Sequence, residues 1–396
     1  MGWNWALALA RRGHEVWVIT RSNNRSLIEQ ELPNLDYAVR TRLHFIYYDL
    51  PAWARWWKKG RRGVHLYYLL WQWGAYRMGR HWHSNIAFDL VHHVTFVSAR
   101  QPSFMGNLGI PFVFGPVAGG ERAPLRLRYG YSWHGWVNDF LRDVSNTLIQ
   151  FDPLVRRAFQ QAVHIYATTK ETYSLIPRRH QHKASIQLAI ALEQRPGVDL
   201  KKPPPRILNP SALRILYVGQ FVSWKGVQFG IQAFAKLQMV YPDTRLTIVG
   251  KGFEDENWRR LAKNLKVDHH ITWIPWMPQS KLATLYCDHD VFLFPSLHDS
   301  GGMVVLEAMS YGLPVICLDL GGPAVMVDPS CGRVINVTAA SGQLVVQRIL
   351  AALIECSNSP DLVDQLGKGA LARSLAFSWD QMAHRIYGPL ETTATK

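Results

Sequence analysis

The feature that most constrains this chain is a series of short, almost wholly apolar runs in its second half, separated by stretches of helical character. The runs are residues 213–219 (LRILYVG), 244–250 (TRLTIVG), 270–273 (HITW), 291–294 (VFLF) and 314–318 (PVICL). A strand with no polar alternation is buried on both faces, and such strands belong to parallel sheets covered by helices on either side. Residues 227–240 and a charged stretch ending at Leu265 read as two of those helices. Strand–helix alternation of this kind predicts an α/β fold.

At 396 residues the chain is too long for one ordinary core, so two domains are expected. The first half shows the same alternation less cleanly. Residues 5–12 read as a helix with Gly13 just past its end, and residues 15–20 as a buried strand. A Rossmann-like domain opens with a strand and a glycine-rich turn before its first helix. Here the helix comes first, so the expectation is that the first strand and its loop are missing. Residues 89–95, 111–115 and 164–169 read as further strands, the last followed by a helix near Lys170. Pro203, Pro204 and Pro205, with Asn209-Pro210, make a proline-rich linker and the best domain boundary. No repeat of solenoid period and no low-complexity tract is present.

Composition removes several classes of function. No run of 18 or more apolar residues occurs, so no membrane-spanning helix is expected. The N-terminus lacks the basic–apolar–small pattern of a signal peptide. Cys287, Cys317, Cys331 and Cys356 form no C-x-x-C pair or zinc-spaced cluster, which reads as reduced thiols in a cytosolic protein with no metal site. The formal charge of +15 is unevenly placed: 28 of 44 basic and 13 of 29 acidic residues fall in residues 1–206, which therefore hold the whole excess. A basic half faces something anionic, such as a membrane surface, nucleic acid or a phosphorylated acceptor.

Open parallel sheets bind ligands at the C-terminal ends of their strands, and three such loops carry the chemistry. Gly219 to Gly226 places Lys225 at the start of a helix, where free N–H groups already favour phosphate. A solvated loop lysine is the plain alternative. Pro295 to Met309 runs from a strand end through a polar loop into an apolar helix, so the Gly301-Gly302 backbone and the first-turn N–H groups form an anion-binding surface. Glu307 stands among Val304, Val305, Leu306, Ala308 and Met309, and a carboxylate there needs a hydrogen-bonding partner or a ligand hydroxyl. The turn after 314–318, with Gly321 and Gly322, is a weaker signal.

Residues 213–338 resemble the nucleotide-binding domain of the retaining glycosyltransferases of family 4, the group 1 glycosyl transferases, which have two Rossmann-like domains with parallel sheets facing across a cleft (the GT-B fold). Asp299 through Glu307 is similar to that family's glutamate–seven residues–glutamate motif, residues 306–315 to its continuation, and Trp224-Lys225-Gly226 to its phosphate loop. The resemblance implies that Lys225 contacts the donor diphosphate and Glu307 the ribose hydroxyls. It implies that Asp299 and the backbone of Gly301, Gly302, Met303 and Val304 hold the donor sugar, with Gly219, Gln220, Gly250 and Pro275 completing the donor side. Residues 2–16 look like the family's opening helix and second strand. His92 and His93, with Gly119, Gly120 and Glu121, are similar to its acceptor-side positions, and His93 joins Asp299 and Lys225 as a catalytic candidate. Residues 377–387 look like the helix that crosses back to the first domain, which gives an N-terminal acceptor-side domain (1–205), a nucleotide-sugar domain (206–375) and a returning helix (376–396).

Three departures stand out. Gln220 replaces the arginine common after the first glycine of the phosphate loop, and Asp299 is one methylene shorter than glutamate. Gly115-Pro116 lies where a histidine often follows the strand at 111–115; His92 and His93 are the possible substitutes, although a strand-end histidine is more often structural. The implied chemistry retains anomeric configuration, uses a UDP-sugar or GDP-sugar donor, and requires neither cofactor nor metal. Asp288-His289-Asp290 superficially resembles the metal-binding D-x-D of other transferases, but it lies at a helix end, where acidic caps are ordinary.

A second stretch mixes cations with indoles: Trp53 to Arg62, continuing through Trp71, Trp73, Arg77, Arg80 and Trp82. It suits the interface of an anionic membrane and a lipid-linked or glycan acceptor, on the cytoplasmic face of the cell membrane. Helices burying these tryptophans are the alternative, and no nucleic-acid reader motif accompanies the charge. A nicotinamide oxidoreductase is disfavoured, because Gly219 and Gly226 have the wrong spacing and Gly250-Lys251-Gly252 lacks a third glycine. The remaining alternative is a catalytically impaired nucleotide-sugar-binding or membrane-associated protein.

Overall fold

The computed structural model describes residues 1–56, 60, 63–193 and 212–394. The proline-rich linker, and Trp57, Lys58, Lys59, Arg61 and Arg62 of the basic aromatic stretch, lie outside the described residues. The chain divides into two compact units. Unit 1 holds 1–120, 145–189 and 379–396, and unit 2 holds 121–144 and 190–378.

In unit 1, β1 (Val16–Thr20) and β2 (Leu43–Tyr47) pair in parallel, Val16 opposite Leu43. A separate four-stranded parallel sheet has the order β3 (Val91–His93), β4 (Phe112–Val117), β5 (His164–Ala167), β6 (Ala184–Ile186). All six residues of β4 are buried, and Phe112, Phe114, Val117 and Ile165 pack against Val155 and Phe159 of helix Pro153–Gln161. That helix starts where Asp152 accepts hydrogen bonds from the Leu154 and Val155 amides, and Pro153 occupies a position whose N–H would be orphaned anyway. The opening helix is Gly2–Arg11, longer at its N-terminus than its apolar spacing suggests. It packs against the last helix, Trp379–Ala394, through Trp5 against Trp379 at 5.6 Å and Arg12 with Glu391.

Unit 2 is a six-stranded parallel sheet of β7 (Arg214–Val218), β8 (Arg245–Val249), β9 (Ile271–Ile274), β10 (Val291–Phe294), β11 (Val315–Leu318) and β12 (Gly332–Ile335). Its spatial order is 12-11-10-7-8-9. Each apolar run foreseen in this half is a strand, and every residue of β10 and β11 is buried. Burying one such side chain contributes about 1.5–3 kcal/mol, which fixes the sheet between its helical layers. The order reverses between β7 and β10, the strands being paired through Val291 and Ile215. At such a switch point neighbouring connections leave to opposite faces, which opens a crevice at the strand ends.

Residues 121–144, from the first half of the sequence, belong with unit 2. A linear division at 205 and 206 does not contain this exchange. Its local cause is polar pairing: the Ser132 amide donates to Glu254 at 3.3 Å, and Asp139 bonds His298. Among the described residues, no helix is long and apolar enough to cross a membrane.

Candidate functional site

The two loops that leave the switch point carry the candidate donor residues. After β7 the chain runs from Gly219 through a short turn at Ser223–Lys225 and enters helix Val227–Gln238 at Gly226. Gly226 has φ +66°, and a Cβ there would lie 2.1 Å from the Pro295 carbonyl oxygen. Only glycine permits this close crossing of the two loops. They are stitched together, since the Leu297 amide donates to the Trp224 carbonyl at 2.8 Å.

Lys225 and Asp299 form an ion pair between these loops, and both side chains are largely buried. The Lys225 ammonium also lies 4.7 Å from the centre of the Phe294 ring. The other Asp299 oxygen accepts from the amides of Gly301 (3.1 Å) and Gly302 (3.0 Å). Burial alone would raise the Asp299 carboxyl, but the Lys225 charge and the two amides outweigh it and hold it below the ordinary carboxylate value. Helix Met303–Ser310 begins at Gly302; Met303 is exposed and Val304 half-buried.

Glu307 is buried in that helix, and its partners come from the protein. Gln279 donates to one oxygen and Tyr286 to the other, at 3.1 Å. Both donors sit on helix Gln279–Asp288, seven residues apart and so on one face. Gly250 closes β8 with a backbone so near Gly219 that a Cβ would meet the Gly219 carbonyl oxygen at 1.8 Å. Gln220 and Pro275 are exposed at the ends of β7 and β9.

Sequence reasoning missed a buried pair behind this loop. His298, next to Asp299, stacks on Trp224 at 5.2 Å and bonds Asp139 through Nε2 at 2.9 Å. Burial lowers its imidazole below the ordinary histidine value, partly offset by Asp139. Asp139 is distant in sequence and carries no motif, so nothing local pointed to it. Ser223 and Glu254 form a second hidden link, with Ser223 donating to the buried carboxylate.

The acceptor-side candidates are distributed differently. His92 donates from Nε2 to the Gly115 carbonyl at 2.6 Å, and its Nδ1 accepts from the Tyr387 hydroxyl. The Nδ1 contact holds the last helix on the sheet, and the Nε2 contact ties β3 to β4. His93 Nε2 bonds the Tyr68 hydroxyl at 3.1 Å. Burial pushes His92 down to about 4 and His93, also facing His92, down to about 3, so both are neutral at physiological pH. The Gly119 carbonyl accepts from Arg100, and the Gly120 amide donates to Thr172. Glu121 lies in unit 2, where Arg142 donates to its buried carboxylate at 3.1 Å.

Asp290 pairs with Arg214 of β7 at 2.7 Å, and His289 bonds Thr247 of β8. In the basic aromatic stretch, Trp71 donates to the Tyr48 carbonyl and Trp82 packs on Trp17, while Trp53, Trp56 and Trp73 are exposed. Trp71 and Trp82 are thus half-buried against unit 1.

Unit 2 is thus a doubly wound α/β domain that gathers a cation, a paired carboxylate and two glycine-bounded helix starts at its switch point. Residues 202–368 match the family model of the glycosyl transferases group 1. The chain is 30% identical over 182 residues to a D-inositol 3-phosphate glycosyltransferase of Segniliparus rotundus, a match covering 44% of this chain and 39% of that protein. It is 34% identical over 105 residues to an uncharacterized glycosyltransferase of Haemophilus influenzae, covering 26% of this chain and 29% of that protein. These matches span less than half the length of either relative. Among solved structures, sucrose-phosphate synthase from Thermosynechococcus elongatus superposes with TM-score 0.59 at 19% identity, over 99% of this chain and 92% of that one. WaaG, a glycosyltransferase involved in lipopolysaccharide biosynthesis, superposes with TM-score 0.54 at 17% identity, over 97% and 93%. Anabaena HepE in complex with UDP gives 0.57 at 13%, over 99% and 96%. The fold class is accordingly that of the GT-B glycosyltransferases, α/β with two Rossmann-like units.

Proposed function

We propose that this protein is a retaining, metal-independent glycosyltransferase that moves a sugar from a nucleotide diphosphate donor to a glycan or lipid-linked acceptor. The observation that carries the reading is the Lys225–Asp299 pair at the switch point of a group 1 glycosyl transferase domain. Cleaving the bond between sugar and diphosphate builds negative charge on the leaving phosphate, and that charge must be stabilised as it forms. Lys225 and the amides at the start of the helices supply that stabilisation. Asp299 holds Lys225 when no anion is present. An incoming diphosphate competes for the ammonium, and the carboxylate is then free to accept from donor-sugar hydroxyls. The departing phosphate oxygen takes the acceptor proton on the same face, which preserves the anomeric configuration.

Gln279 and Tyr286 hold the Glu307 carboxylate so that its remaining lone pairs accept from ribose hydroxyls. The neighbour crystallised with UDP makes a uridine donor the first to try. On this reading the site of action is the cytoplasmic face of a membrane, with peripheral rather than spanning attachment. The test is turnover: the protein is incubated with a panel of UDP- and GDP-sugars and a membrane lipid extract, with and without a chelator. The expected result is nucleoside diphosphate release that resists chelation, with a product whose anomeric configuration by NMR matches the donor. Chelator-sensitive release or an inverted product overturns the mechanism.

A further inference from the structure

Helix Trp133–Leu148 is inside out. Gly135, Asp139 and Asn146 are buried, and Arg142 and Asp143 are half-buried, so the helix turns its polar side inward. Each inward group has a partner: Asp139 bonds His298, Arg142 bonds Glu121, Asp143 pairs with Arg128, and Asn146 accepts from Arg100 at 2.7 Å. On the opposite side Trp133, Trp136, Phe140, Leu141 and Val144 face solvent, with Trp133 76% and Phe140 52% exposed. Spacings of three, four and seven residues put Trp133, Trp136, Phe140 and Val144 on one stripe. A soluble helix does the reverse, and a contiguous aromatic stripe in water marks an interaction surface.

We infer that this face is a membrane-docking surface, which lies in the headgroup region of an anionic bilayer. Charge supports the lipid partner over a second apolar protein face. Both carboxylates of the helix point inward and are paired, so the helix carries no acidic side chain on its exposed stripe. Arg126 stands exposed in the loop just before it, beside the exposed Leu125 and Tyr129. The whole chain carries a formal +15, which draws it toward a negative surface. Indoles at headgroup depth with cations alongside are the composition of a helix lying in the interface plane. This assigns the contact to residues 133–144 and not to the Trp53 stretch that the sequence alone singles out.

The inference is independent of donor chemistry, and vesicle binding tests it without any nucleotide. The full chain is sedimented with vesicles of phosphatidylcholine alone and of phosphatidylcholine mixed with phosphatidylglycerol. Binding to the anionic vesicles is expected, and Trp133→Ser/Phe140→Ser should weaken it about tenfold or more. Trp53→Ser/Trp56→Ser should leave it within about twofold of the parent. Because all four side chains are exposed, an unchanged melting transition checks that each variant folds. Binding that survives Trp133→Ser/Phe140→Ser, or equal binding to neutral vesicles, overturns the assignment. So does a dimer in sedimentation velocity that the same substitutions dissociate, since a second copy would then cover the face.

Discussion

In the proposed mechanism donor binding turns on Lys225. Replacing it by Met removes the cation and keeps the bulk, so nucleoside diphosphate affinity should fall roughly ten- to a hundredfold, the factor carried by a charged hydrogen bond of about 1.5–3 kcal/mol. Asp299→Asn separates the two roles of the pair. It releases Lys225, so nucleoside diphosphate should bind at least as tightly, whereas sugar transfer should drop by about tenfold or more. Weaker diphosphate binding in that variant would show that Asp299 positions Lys225 for phosphate. The motif around Asp299 and Glu307 was legible in the sequence because an acid in an apolar helix is conspicuous. What the sequence left open was its partner, since Gln279 and Tyr286 reach it from another helix.

His92 and His93 give a prediction with a definite sign. Their folded values lie near 4 and 3, below the ordinary histidine value of 6.5, because burial disfavours the charged form. The unfolded chain therefore takes up protons first as pH falls, and the folded state loses stability from about 6.5 downward. Each histidine contributes up to about 1.4 kcal/mol per pH unit over that window. Thermal melting should be flat above pH 7 and decline between pH 6.5 and 4, and His92→Gln should make the decline shallower. A melting temperature independent of pH across that window would contradict the buried, neutral assignment.

At the scale of elements, helix Trp133–Leu148 is held to unit 2 by the Asp139–His298 bond, and His298 in turn stacks on Trp224 beside Lys225. Asp139→Ala leaves a buried N–H unpaired, which should cost about 1–3 kcal/mol in denaturant titration. If the pair positions the phosphate loop, the same variant should also weaken nucleoside diphosphate binding, whereas the single variant His298→Gln, which keeps an N–H donor for Asp139, should weaken it less. Lost stability with unchanged binding would make the pair purely structural. The strands of unit 2 were readable because each is a closed apolar run between helices. Strands β2, β6 and β12 were not foreseen: Ala184–Ile186 is too short to show a pattern, and Leu43–Tyr47 and Gly332–Ile335 are interrupted by His44 and Arg333. Helix Trp133–Leu148 escaped notice for a different reason, since its amphipathic pattern does not say which side is buried.

For the whole molecule, the charge asymmetry and the α/β architecture were plain in the sequence. The placement of 121–144 with unit 2 was not, because it depends on pairs distant in sequence, such as Asp139 with His298. A ligand that binds only the folded state stabilises it by mass action, by about 2.7 kcal/mol at a hundredfold excess over its dissociation constant. Whether unit 2 holds a nucleoside diphosphate at the switch point is decided by calorimetric titration of the full chain with UDP, GDP and ADP. The control is Glu307→Gln, which alters the charge on the ribose side and preserves the shape of a buried residue. Selective binding of one diphosphate, roughly in the micromolar range, is expected, weakened about tenfold or more in the variant. A folded protein that binds none of the three, or binds them equally well with and without the Glu307 carboxylate, would contradict it.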